Sequence, residues 1–208
     1  MVSNSSLHPI FLHDDKRIFN LAARYIYEER WGGEMNWKPS NRGSDSIYAE
    51  SIHTNRWETF GTYELPMAPD VKFQFSGNGH IQNSYYGVTP YKADQYIGFG
   101  QLTWNTPVGN KHSLLLGGAY RYTYYDDNTF ATLSEDGFNN NPSIMHLPGI
   151  FIQDEINLNE WQKLLLGIRY DYNSIHGNVF SPRANYKWSS IDKNEIIRLS
   201  VGLSLIHI

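Results

Sequence analysis

The chain contains no cysteine, so no disulfide framework, thiolate nucleophile or cysteine-based metal site can be built from it. It has no run approaching the ~20 apolar residues of a membrane helix. That absence excludes helical spans and leaves a β-barrel open, because a barrel's membrane signal is alternation rather than an apolar block. An excess of one charge is also missing: 17 Lys and Arg stand against 21 Asp and Glu, scattered along the chain, which gives no basic footprint for nucleic acid. The start, MVSNSSLHPIFLHDD, has no basic stretch followed by an apolar core and is not a signal peptide; an exported protein must carry one elsewhere. No nucleophile elbow, phosphate loop or dinucleotide fingerprint occurs, so the sequence predicts neither an enzyme nor a cofactor. The eight histidines show no metal-ligand spacing.

What the chain has is aromatic side chains and rhythm. It carries 15 Tyr, 10 Phe and 6 Trp in 208 residues, and Tyr and Trp collect at membrane–water boundaries. Around residue 168, Leu164, Leu166, Ile168, Tyr170 and Tyr172 alternate with Gly167, Arg169 and Asp171. A period of two puts these sets on opposite faces of a strand. Nine such segments follow one another, near residues 17–31, 47–65, 71–82, 95–104, 111–125, 147–158, 163–173, 181–188 and 196–201. The second is ambiguous, since Trp57, Tyr63 and Leu65 share one parity while Tyr48, Ile52 and Phe60 share the other; a bulge would reconcile them. Asp154 breaks the apolar set of the sixth. Paired acids do not suggest acid–base catalysis: Asp154 and Glu155 would point to opposite faces, and Asp126-Asp127 is expected to be solvated in a loop.

The connections are expected to alternate. Short turns fall at 66–70, 105–110, 159–162 and 189–194, and long loops at 32–46, 83–94, 126–146 and 173–181. Short turns at one end and long loops at the other are the layout of an outer-membrane barrel. A charge on a lipid-facing midplane position costs roughly 2–4 kcal/mol, which fits the charge-free apolar sets of the cleaner segments. Tyr120, Tyr122, Tyr124, Tyr170 and Tyr172 lie toward the long-loop end, and Trp104, Trp161 and Trp188 toward the other, as two aromatic girdles would. A soluble antiparallel sandwich also alternates apolar and polar residues and is the competing architecture.

The string GIFIQDEINLNEWQKLLLGIRYDYNSIHGNVFSPRANYKW resembles the barrel domain of TonB-dependent outer-membrane receptors, in a Bacteroidetes-like form. Arg24 to Trp37, Phe99 to Asp127 and Ile196 to Gly202 share that resemblance, and Ser181-Pro182-Arg183 is among its more specific pieces. The resemblance implies a roughly 22-stranded transmembrane barrel closed around a plug, set in the outer membrane of a Gram-negative bacterium. Its partners would be outer-membrane lipid, the plug, TonB and a ferric siderophore, cobalamin or similar bulky ligand. The expected fold is therefore all-β, an antiparallel up-and-down meander of about nine long strands forming an incomplete segment of such a barrel. Residues 1–16 read as a poorly defined lead, 17–202 as barrel, and 203–208 as translated sequencing adapter, because LSLIHI is what CTGTCTCTTATACACATC encodes; the source DNA at that junction decides the point. The alternative functions are a passive porin or adhesin-type barrel and a soluble carbohydrate-binding sandwich.

Two sets of site residues follow. The loops offer Tyr85, Tyr86, Phe138, Asn139, Asn140 and Asn141 as first ligand contacts, since loops carry recognition while a scaffold holds them. The polar faces offer Arg24, Arg121, Glu155, Arg169, Asp171, Arg183 and Arg198 as lumen residues facing a plug or an anionic ligand, or forming a stabilising ladder of salt bridges.

Overall fold

The computed structural model describes residues 2–7, 10–12, 18–65, 70–192 and 194–203. Serine 204 to isoleucine 208, most of the segment read as adapter, lie outside them. The nine expected strands are present: β3 (Ile18–Gly33), β4 (Ala49–Glu64), β5 (Val71–Tyr86), β6 (Thr89–Val108), β7 (His112–Asp127), β8 (Ser143–Asn157), β9 (Gln162–Asn173), β10 (Gly177–Ser189) and β11 (Ile196–Gly202). Each pairs antiparallel with the next, giving one unbroken meander. The lead adds two pieces, β1 (Val2–Leu7) and β2 (Ile10–Leu12). Both pair with β3 in one common register, Val2 opposite Glu28 and Ile10 opposite Asn20, as a single interrupted edge strand.

β4 pairs without interruption from Ala49 to Glu64, so it has no bulge. Its odd residues, Trp57 and Tyr63 included, share the face of Tyr25, Phe19 and Phe73. Ile52 and Phe60 sit on the other face, and Tyr48 precedes the strand.

All connections at one end are short: 65–70, 109–111, 158–161 and 190–195. At the other end, 34–48 and 128–142 are long as expected, but 87–88 and 174–176 are tight turns. Gly87 (φ 61) and Gly177 (φ 80) supply the left-handed backbone these turns require. The sequence misplaced loops at 83–94 and 173–181 because polar residues occupy both faces there. The apolar rhythm stops there, whereas the ladder of hydrogen bonds continues. β6 reaches 20 residues, about twice the ~9–11 of a minimal membrane-crossing strand.

The sheet is a single layer. Among the described residues the buried apolar ones are Ala22, Ala49 and Ala93 in the sheet and Trp37 in the loop 34–48, too few to be a core. Instead Ile150 is 65% exposed, Leu199 62% and Val201 69%. Among the described residues no second sheet covers this face, which a sandwich would require, and no helix is long and apolar enough to cross a membrane.

Candidate functional site

Register assigns every side chain to one of two faces, because directly paired residues share a face. One face, here called outward, collects Leu164, Leu166, Ile168 and Tyr170 with Ile150, Ile152, Leu116, Trp104, Leu102 and Phe73. The opposite, inward face collects most of the strands' charges.

On the inward face glycines and large side chains are opposed by design of the register. Gly117 pairs with Phe151, Gly149 with Asp171, and Gly167 with Arg183. A Cβ at Gly117 would overlap the Phe151 ring, and one at Gly149 would overlap the Asp171 carboxylate. Each glycine thus provides the floor on which its partner lies. Asp171, 8% exposed, takes two hydrogen bonds from Arg169, Nε to Oδ2 at 2.7 Å and Nη2 to Oδ1 at 2.7 Å. The Arg169 guanidinium lies 5.5 Å from the centre of the Phe151 ring, and Arg183 donates to Gln153. Phe151, Arg169 and Arg183 border a trough of about 710 Å³, together with Gln74, Gln101 and Ser181.

Most of the expected lumen residues are satisfied by neighbours. Arg24 donates to Glu58, through Nε at 2.9 Å, and Arg56 pairs with the same carboxylate. Lys163 Nζ donates to Glu155 at 2.6 Å. Arg121 and Arg198 share the inward face but have no ion-pair partner among the described residues, and both are exposed. Arg183 meets only the neutral Gln153, and Lys187, opposite Arg198 in register, has no ion pair either, so the ladder carries several inward cations without a carboxylate among the described residues.

Asp154 and Glu155 part company as strand geometry requires. Glu155 bonds Lys163 inside, while Asp154 Oδ2 lies 2.7 Å from His112 Nδ1 on the outward face. The pair sits near the short-turn end of the sheet.

The loop residues take unequal roles. Tyr85 has outward parity and is half-buried, with the Arg42 guanidinium from the loop 34–48 lying over its ring at 4.5 Å. Arg42 also donates to Ser51 Oγ (3.1 Å) and to Asn83 O (2.8 Å), fastening that loop to β4 and β5. Tyr86, one position on, has inward parity and is 37% exposed. In the loop 128–142, Asn139, Asn140 and Asn141 hold the loop itself. Asn139 donates to Asp136, Asn140 Nδ2 to Asp126 Oδ2 (3.1 Å), and the Asn141 N–H to Thr132 O (2.7 Å). Phe138 is left 92% exposed beside Phe130 at 90% on the same loop.

Asp126 and Asp127 belong to the end of β7 rather than to a solvated loop. Asp127 accepts from Tyr125 OH (2.7 Å), Thr129 N (2.8 Å) and Thr132 Oγ1 (3.1 Å), so it anchors the base of the loop. Asp136 gathers Ser134 Oγ (2.7 Å), Phe138 N (2.9 Å) and Asn139 N (3.1 Å), and these donors hold its carboxyl well below the usual carboxylate range. The sequence signal for this was the spacing Ser134-x-Asp136-x-Phe138-Asn139, an Asx-type turn.

A meander with one apolar face, one ion-paired face and loops gathered at one end is the wall of a membrane-spanning β-barrel. The chain belongs to the family of TonB dependent receptor-like β-barrels, whose family model matches residues 3–204. Barrels of that family are outer-membrane proteins of Gram-negative bacteria. Among solved structures, the siderophore receptor PirA from Pseudomonas aeruginosa is similar with a TM-score of 0.63 at 14% identity. The match covers 97% of this chain and 32% of that receptor, so the chain spans about a third of its length. None of the curated proteins matches the chain.

Proposed function

We propose that this chain supplies barrel wall and outer loops to a receptor that captures a scarce, bulky ligand, a ferric siderophore or cobalamin among the candidates, and imports it with energy delivered through TonB. The observation that carries the reading is the inward face: matched charges at Arg24–Glu58, Lys163–Glu155 and Arg169–Asp171, a trough of about 710 Å³ bordered by Arg169 and Arg183, and Arg121 and Arg198 without a carboxylate partner among the described residues. Matched pairs stiffen a wall, whereas the two free guanidinium groups are suited to a plug or an anionic ligand. Tyr86 and Phe138, exposed at the long-loop end, are the first contacts for an arriving ligand; the asparagines beside Phe138 set its loop. Membership of a receptor family favours this reading over a passive porin, and the uncovered apolar face disfavours a soluble carbohydrate-binding sandwich.

The test is growth of a strain lacking the whole receptor gene, supplied with single defined sources of iron or of cobalamin. Loss of growth on one source, restored by the gene and not by a version without its TonB-contacting segment, supports energised import. Unimpaired growth on every source, or rescue that ignores TonB, would sink it.

A further inference from the structure

The outward face has its own glycines, and they differ in a telling way. Gly61 and Gly79 are covered: a Cβ at either would strike the Phe75 or the Trp57 ring lying across it. Gly98, Gly100 and Gly118 are not. A Cβ at Gly98 would meet nothing within 4 Å, at Gly100 only Phe73 at 3.5 Å, and at Gly118 only Gly149 O at 3.8 Å. None has positive φ. Neither backbone conformation nor internal packing requires glycine at these three positions, and two of them, Gly100 and Gly118, line a trough in the outward face.

The trough is apolar, holds about 540 Å³, and has Phe73, Leu102, Ile150 and Tyr170 as walls. A further hollow of about 340 Å³ between Trp104 and Leu116 shares Leu102 and Gly118 with it. From Tyr120 to Leu116 is four residues, about 13 Å along the strand, close to half of the ~30 Å hydrocarbon core. At the long-loop end of the trough stand polar groups. Tyr120 OH lies 2.7 Å from His146 Nδ1, the Tyr122 ring packs 5.4 Å from His146, and Tyr172, 48% exposed, borders the same opening. Hydrocarbon below and hydrogen-bond donors above match an amphiphile placed upright against the wall.

We propose that this trough holds one acyl chain of a phosphate-bearing lipid of the outer leaflet, with His146 and Tyr172 at its headgroup. The site is continuous with the lipid-facing wall, and the proposal rests on the reading of that wall as membrane-embedded. Ordinary boundary lipid slides over a convex surface, whereas a groove one chain wide and one leaflet deep retains its occupant. The assignment accounts for both the missing side chains and the polar rim.

The test uses the full-length receptor, reconstituted in bilayers of outer-membrane lipid extract, transferred to mild detergent and weighed by native mass spectrometry. The wild type is expected to keep one phosphate-bearing lipid, G100L/G118L to lose it, and H146A/Y172F to keep it in a smaller fraction of molecules. Equal retention in wild type and G100L/G118L overturns the proposal. So does a retained lipid without phosphate, or a dimer that only G100L/G118L dissociates, which would assign the trough to a second copy. Should G100L/G118L fail to insert, G100V, with room at its Cβ, gives the same comparison. A wild type that never enters the bilayer is a separate result and defeats the membrane reading itself.

Discussion

At the scale of single residues, glycine is the most informative type in this chain, because its value depends on what lies over it. Gly117 and Gly118 are neighbours in sequence and opposites in structure: Phe151 fills the space above the first, and the second is open. Gly117→Leu is therefore expected to destabilise the receptor by about 1–3 kcal/mol through overpacking. Gly118→Ala should stay within about 0.5 kcal/mol of wild type. Urea titration of the receptor folded in lipid separates the two, and equal effects would contradict the assigned faces. Arginine divides in the same manner. Asp171→Ala strips Arg169 of its bidentate partner and is expected to cost about 1–3 kcal/mol of stability. Arg121→Ala, losing no ion pair, is expected to leave stability unchanged while weakening ligand uptake. A stability loss at Arg121 as large as at Asp171 would move it from the binding set to the structural one.

At the scale of elements, the loop 128–142 is ordered by carboxylates at its base and tip rather than by an apolar core. Asp136 has a depressed pKa because four donors from the loop stabilise its ionised form. A group depressed on folding contributes order that is complete above its unfolded pKa, about 3.9, and lost only as pH falls through the lower folded value. The loop around Phe138 should then stay ordered from neutrality down to about pH 4 and loosen below it. Hydrogen exchange of the Phe138 and Asn139 amides over that range checks this; Asp136→Ala should raise their exchange at every pH. Asp192, in the connection 190–195, is lowered likewise by Ser190 and Asn194, so the opposite end carries a small turn of the same kind.

At the scale of the molecule, the alternation is a statement about solvent. With no native cysteine in this chain, single cysteines can be placed along β9 in the receptor. Those at Leu164, Leu166 and Ile168 should resist a membrane-impermeant thiol reagent, and those at Leu165, Gly167 and Arg169 should react. A uniform pattern along the strand would show that both faces share one environment, as in no membrane wall. The same view explains the tall strands: within the bilayer the outward face is set by hydrocarbon, and beyond it by the ladder alone.

The sequence by itself determined the period of two, which set of each cleaner strand is apolar, and the order of the nine strands, because these are local properties of consecutive residues. It also carried the family resemblance. It did not reveal the tight turns at 87–88 and 174–176, since polar residues flanking them break the apolar rhythm, or the edge pairing of residues 2–7 and 10–12 with β3. Only tertiary structure decided which charge is matched and which is free. Arg24 meets Glu58 across 34 positions, and Arg42 reaches Asn83 across 41. Register likewise decided that Phe151 covers Gly117 while nothing covers Gly118. A slip of one residue would exchange the two faces, and the hydrogen-bonded pairing between strands is what fixes that register.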